Sequence, residues 1–173
     1  MKHSKPRPAE GRSLDTRQIG ALCWRMHRGK VEVLLVTSRD TGRWVIPKGW
    51  PMADRPDPDA AAQEAWEEAG VKGDLDPQVL ATFDYDKILK PGLALPCTVA
   101  VYPLRVGLMV EKFPERKERR RKWFAAEKAA RKVAEPSLRE ILSHLAEEGG
   151  ALCVQPPADG AAGDGGTGAL AGA

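Results

Sequence analysis

Paired cysteines are what this sequence most plainly lacks. Cys23, Cys97 and Cys153 are three, far apart and without CxxC spacing. That excludes a disulfide framework and a thiolate zinc site, and points to free thiols in a reducing compartment. Histidine is as scarce: His3, His27 and His144 share no spacing that would build an imidazole metal site. No apolar run approaches the roughly 18 residues that a membrane-spanning helix needs. The basic N-terminal segment has no apolar stretch after it and does not read as a secretory signal. A soluble cytoplasmic protein is the expectation. Charge of one sign is also in short supply. The formal net charge is +3, too small to argue for a specific nucleic-acid partner. The 173 residues are enough for one domain with a real core and too few for two ordinary ones.

Residues 1–13 lack periodicity and read as a mobile arm, and the Gly/Ala-rich residues 149–173 read as a disordered tail. A single domain is expected over 14–148. Strand signals come first, over 18–26 and 30–38, separated by a turn at Gly29, with a short strand over 43–47. A Pro- and Gly-rich loop and an Ala-rich helix follow. Residues 79–89 and 96–110 give two or three more strands, broken by KPGLALP. Helical patterns over 122–133 and 136–148 close the domain, the second with Pro136 in its first turn. This order predicts an α/β or α+β sandwich. Trp44, Trp66 and Trp123 are expected in its core, and Trp24 on a strand.

The helix of the opening loop, about Pro58–Ala69, has Asp57 as its expected N-cap and Gly70 as its terminator. Glu64, Glu67 and Glu68 fall within roughly a 100° arc, with Ala62, Ala65, Trp66 and Ala69 on the opposite side to be buried. Like charges at this spacing cost about 0.2–0.5 kcal/mol per pair. Acidic groups in the last turn also oppose the helix dipole by roughly 0.3–1 kcal/mol each. A divalent cation would reverse that sign, because hard ions such as Mg²⁺ prefer carboxylate oxygens. On the helix alone, a solvated acidic face is the favoured reading.

The loop ahead of the helix adds to this. From Gly49 the sequence reads G-x5-R-x7-Q-E-A-x-E-E-x-G-V, which resembles the Nudix box, G-x5-E-x7-R-E-U-x-E-E-x-G-U with U a bulky aliphatic residue. Gly49, Glu64, Glu67, Glu68, Gly70 and Val71 match it. Arg55, Gln63 and Ala65 depart from it; in the family the residues at the first two positions brace the loop against the helix, and Asp54 is a candidate substitute carboxylate. The resemblance implies an α/β/α sandwich on a mixed sheet and a pyrophosphohydrolase using Mg²⁺ or Mn²⁺. Glu64, Glu67 and Glu68 would be the catalytic and metal-binding residues, with the Gly49 carbonyl as a further ligand. The base is one of these glutamates or a carboxylate outside the box, with Glu111, Glu115 and Glu118 as candidates.

The segments RQIGALCWR, VLLVTSRDTGRWVIPKG and ERRRKWFAAEKAARKV are similar to the branch that contains diphosphoinositol polyphosphate phosphohydrolases, which also act on dinucleoside polyphosphates. The implied partner is a phosphate-rich small molecule, gripped by Arg17, Ser38, Arg39, Lys48, and Arg119 or Arg121. The implied assembly is a monomer or homodimer. The alternative is a nucleotide-sensing module of the same fold with little or no hydrolysis, kept open by Arg55 and Gln63.

Overall fold

The computed structural model describes residues 16–150; the expected arm and tail, and Cys153, lie outside the described residues. The chain enters with β1 (Arg17–His27), whose residues from Gln18 to Trp24 are all buried. Such an uninterrupted run suits a central strand covered on both faces. A tight turn at Arg28–Gly29 leads to β2 (Lys30–Thr37), antiparallel to β1. Then come two-residue strands, β3 (Trp44–Val45) on β2 and β4 (Lys48–Gly49) on β1, where Gly49 faces Ile19. Helix α1 (Asp57–Ala69) follows, then β5 (Val71–Leu75). A long hairpin of β6 (Ala81–Lys90) and β7 (Leu93–Met109) follows. β7 lies parallel to β1, from Arg17 opposite Thr98 to Trp24 opposite Arg105. The chain finishes with β8 (Arg121–Ala125) on β2, α2 (Ala126–Lys132) and α3 (Pro136–Glu148).

The result is a mixed sheet in the order β3-β2-β1-β7-β5, with β4 also on β1, β6 on β7 and β8 on β2. Helix α1 packs on β1, β4 and β5, while α2 and α3 pack on each other and reach β2 and β6. This is the mixed-sheet α+β architecture expected from the sequence.

The differences from expectation are local. Residues 122–125 are strand, because backbone pairing of Phe124 with Val33 and of Trp123 with Leu34 overrides the helical spacing of KWFAAEKAARKV. The expected break at KPGLALP is a tight turn at Pro91–Gly92, and β7 already begins at Leu93. β5 has no apolar signature because it is bonded to β7 alone and exposes Lys72, Gly73 and Asp74. Trp66 is half-buried rather than core, with Lys72 Nζ 4.7 Å from its ring centroid. Trp44 and Trp123 are likewise only partly buried, whereas Trp24 is buried. Among the described residues, no helix is long and apolar enough to cross a membrane.

Candidate functional site

Helix α1 begins one residue earlier than its sequence suggests. Pro56 is the N-cap and makes no side-chain cap. Asp57 lies inside the helix, and its carboxylate forms an ion pair with Arg17 of β1, so it is not available as a cap.

The helix is also turned differently. Its buried residues are Ala60, Ala61, Glu64, Ala65, Glu68 and Ala69, so two of the glutamates share the buried face with alanines instead of opposing it. The cause is size. Alanines at 60, 61, 65 and 69 let the helix approach the sheet closely, and Glu64 and Glu68, one turn apart, reach into its seam with β4. Glu64 is 1% exposed and Glu68 3%.

The seam has little spare room. A Cβ added to Gly49 would sit 2.1 Å from Glu64 Oε1, so glycine is required there for the carboxylate to fit. Glu68 Oε2 accepts the Lys48 backbone N–H at 3.2 Å, and Glu68 Oε1 accepts Arg119 Nη2 at 3.0 Å. Glu67 is half-buried and accepts Gln63 Nε2 at 3.2 Å. Gln63 in turn accepts Arg55 Nη1 at 3.2 Å. Two of the three positions that depart from the motif, Arg55 and Gln63, therefore touch each other, and the bracing of loop to helix is kept with donor and acceptor exchanged. Asp54 is held by Arg55, whose hydrogen bonds keep its carboxyl below the usual carboxylate range.

Residues 110–121 are tied to the C-terminal end of α1. Gly70 adopts the left-handed conformation that closes the helix, and Phe113 lies where a side chain at 70 would be, 2.4 Å from the position of a Cβ. The Val110 N–H donates to Gly70 O, the Glu115 N–H to Glu67 O, and Arg121 Nη1 to Ala69 O at 2.7 Å. The last turn of α1 has no basic residue of its own, so Arg121 supplies from a distant strand the positive charge that a helix C-terminus favours.

Of the three later carboxylates, the fold brings Glu115 to the box. It is 8% exposed, and Arg119 and Arg39 approach its Oε1 at 3.4 and 3.2 Å, while Oε2 is buried without a hydrogen-bond partner. Glu111 and Glu118 point outward, pairing with arginines at the surface.

Lys48, but none of the box glutamates, lines a cleft of about 890 Å³, walled by the β3 approach, the β6–β7 hairpin and the α2–α3 junction. The Lys48 ammonium lies 4.2 Å from the Tyr85 ring centroid, and burial lowers its pKa despite nearby Glu68. Tyr85 donates its hydroxyl to Gln18.

Of the residues expected to grip phosphate, Ser38 and Lys48 line this cleft. Arg39 lies at the exposed edge of Glu115. Arg17 is drawn to Asp57, while Arg119 and Arg121 are turned inward onto α1, their side chains 8% and 10% exposed. Sequence reasoning missed Tyr85, Asp84, Asp86 and Glu135 in the cleft wall. The alternation FDYDK was a legible signal for one polar strand face, but Glu135, just before α3, left none.

The donor set suits a hard divalent ion: carboxylate oxygens of Glu64 and Glu68 converge on β4, where Gly49 carries no side chain. Among the described residues, no three Asp, Glu, His or Cys side chains are yet drawn to metal-ligating spacing. Of the neighbouring carboxylates, Glu67 accepts Gln63, and Glu115 is paired with Arg119 and Arg39.

Comparison with known proteins agrees with this geometry. The NUDIX domain family model matches residues 16–145. Nudix hydrolase 12, mitochondrial, of Arabidopsis thaliana is 35% identical over 103 residues, 58% of this chain and 51% of the relative; the chain thus spans about half that relative's length. Diphosphoinositol polyphosphate phosphohydrolase 3-beta of Homo sapiens is 30% identical over 131 residues, covering 72% of this chain and 76% of the relative. The crystal structure of a C. elegans Ap4A hydrolase binary complex superposes with a TM-score of 0.55 at 20% identity, over 76% of this chain and 96% of that one, a likeness of fold.

Proposed function

The chain belongs to the NUDIX family, and on that premise we propose that it is a pyrophosphohydrolase acting on a phosphate-rich small molecule. The substrate classes are diphosphoinositol polyphosphates, dinucleoside polyphosphates, or another nucleoside diphosphate linked to a further group. Mg²⁺ or Mn²⁺ would be held by Glu64, Glu67 and Glu68 with the Gly49 carbonyl. Bound there, the ion supplies neutralisation of charge on the diphosphate.

The observation that carries this reading is the burial of Glu64 and Glu68 against β4, at the edge of a cleft. Burying two neighbouring carboxylates on one helix carries a large desolvation cost, which a bound divalent ion would offset. Around them, this chain's residues have distinct tasks. Ser38 and Lys48 orient phosphate from the cleft wall, with Arg39 beside them. Glu115, buried and with one oxygen unpartnered, positions the attacking water or takes its proton. Arg119 holds Glu68 and Glu115 apart from solvent in one ion-pair chain.

The decisive substitution is Glu67→Gln, because Glu67 is half-buried and its loss leaves no buried arginine stranded. Turnover of the preferred phosphoric anhydride is expected to fall by on the order of 10²–10⁴-fold with the thermal midpoint unchanged. Undiminished turnover in both Glu67→Gln and Glu68→Gln would sink the assignment. The second reading, a sensing module, is favoured by Arg119, which already neutralises Glu68 from within the chain. Tight nucleotide binding with no product across a Mg²⁺-containing substrate panel would select it.

A further inference from the structure

The tip of the β6–β7 hairpin carries apolar side chains that nothing in the described fold covers. Ile88, Leu89 and Leu93 are 45%, 49% and 45% exposed, and Pro91, Gly92 and Ala94 between and beside them are exposed as well. Turns in water are ordinarily polar, and apolar side chains grouped at a surface mark a contact. The tip also stands apart from the rest of the sheet. β1 meets β7 only from Thr98 onward, so residues 93–97 are bonded to β6 alone, in a two-stranded ribbon about 14 Å long. Such a ribbon is marginal in water by itself.

Apolar groups occupy both faces of this ribbon. Ile88 and Ala94 are opposite each other on one face, and Leu93 and Leu95 lie on the other. That distribution suits a medium surrounding the tip better than a flat protein face covering one side. Strand addition by another chain, a second copy included, is opposed along both edges. The register shift between Ile88 and Lys90 twists β6. On β7 the Thr98 N–H points outward to the Thr16 carbonyl, so Pro96, two residues away, removes the next outward donor.

Charge identifies the medium. Residues 87–96 contain Lys87 and Lys90 and no acid; Asp84 and Asp86 lie nearer the root, in the cleft wall. Thr16 joins the fold at that root, and residues 1–15 hold Lys2, Lys5, Arg7 and Arg12 against Glu10 and Asp15. Apolar groups flanked by lysines fit an anionic lipid surface. Insertion is limited to the headgroup–acyl boundary, because both edges of the ribbon keep backbone N–H and C=O groups that hydrocarbon cannot satisfy.

We propose that the tip of the β6–β7 hairpin is a membrane-docking finger. Ile88, Leu89 and Leu93 enter the boundary region of an anionic bilayer, and Lys90, with Lys87 behind it, contacts the headgroups. The root of the same hairpin walls the cleft, so docking holds the cleft at the bilayer surface.

The test is co-sedimentation of the full chain with vesicles of phosphatidylcholine alone or with about 30% phosphatidylserine. The chain is expected to bind the anionic vesicles at least about fivefold more tightly than the neutral ones, and less tightly as salt rises. In Leu89→Asn/Leu93→Asn, both positions lying outside the cleft wall, binding to anionic vesicles is expected to fall at least about tenfold with the thermal midpoint unchanged. Lys90→Glu keeps the apolar tip and is expected to abolish the preference for anionic vesicles, so the proposal stays testable even where the leucine variant is destabilised. No binding to anionic vesicles, equal binding to both kinds, binding that survives the leucine substitutions, or an unchanged preference in Lys90→Glu overturns the proposal. Self-association in sedimentation velocity that the leucine substitutions abolish, without vesicle binding, overturns it in favour of a protein contact.

Discussion

Gly49 and Glu64 share a space in which only one of them can carry a side chain. A Cβ at 49 would lie 2.1 Å from Glu64 Oε1, so Gly49→Ala forces the carboxylate out of the seam. Overpacking of this kind costs about 1–3 kcal/mol. The variant is expected to lose that much in urea denaturation, and to lose Mg²⁺ affinity as well, read by calorimetry. Lys48 shows the opposite conflict, between stability and use. Burial lowers its pKa below the ordinary 10.5, so between the lowered value and 10.5 the unfolded chain binds more protons than the folded one. Stability contributed by this group therefore rises with pH through that window and is least below it. Lys48→Met is expected to be more stable than the parent at pH 7, by a margin that narrows as pH approaches 10.5, while binding phosphate ligands more weakly. Urea midpoints at pH 7 and pH 10 check the first part, and titration with inorganic pyrophosphate the second.

At the scale of elements, α1 is completed by residues far along the chain. Its last turn carries Glu67 and Glu68 and no base of its own, an arrangement that weakens an isolated helix. The 110–121 segment resolves this by bringing Arg121 to the Ala69 carbonyl and Arg119 to Glu68. Because Arg119, Glu68 and Glu115 are all buried, removing the guanidinium takes a charged partner from two carboxylates, leaving the Lys48 N–H on Glu68 and Arg39 on Glu115. Arg119→Ala is expected to cost about 3–5 kcal/mol in metal-free denaturation. Mg²⁺ is expected to restore a larger share of that stability than it adds to the parent, since the ion replaces the missing positive charge. Thermal melts with and without Mg²⁺ read this directly; an identical Mg²⁺ shift in both proteins would contradict it. Helix α3 was legible to its ends, because Pro136 marks its start and its apolar spacing is unbroken. The start of α2 was not, because the periodicity of residues 122–125 is helical while their partner, β2, lies some ninety positions earlier.

Across the whole molecule, the cleft is a product of topology. β1 lies parallel to β7 and bonded to β4, which sets the box loop beside the β6–β7 hairpin, while α3 packs on β6. Residues from the 38–48 stretch, the hairpin and the α2–α3 junction thus form one wall. Residues 1–13 lack apolar periodicity and 149–173 are Gly/Ala-rich, so a fragment spanning 14–150 is expected to melt within about 2 °C of the full chain. A larger drop, measured by calorimetric scanning, would place stabilising contacts outside that span.

The sequence by itself determined the family pattern, the helix bearing Glu64, Glu67 and Glu68, and most of the strands, because these depend on spacing and local chemistry within a few turns or a few residues. Only the tertiary structure decided which way the glutamates face, that Arg55 and Gln63 brace each other, and that Arg119 and Arg121 turn inward. Each of these depends on side chains meeting across the sheet. Helical spacing fixes the angles of Glu64 and Glu68 relative to one another, but only the close approach of an alanine face to β4 determines that they are buried.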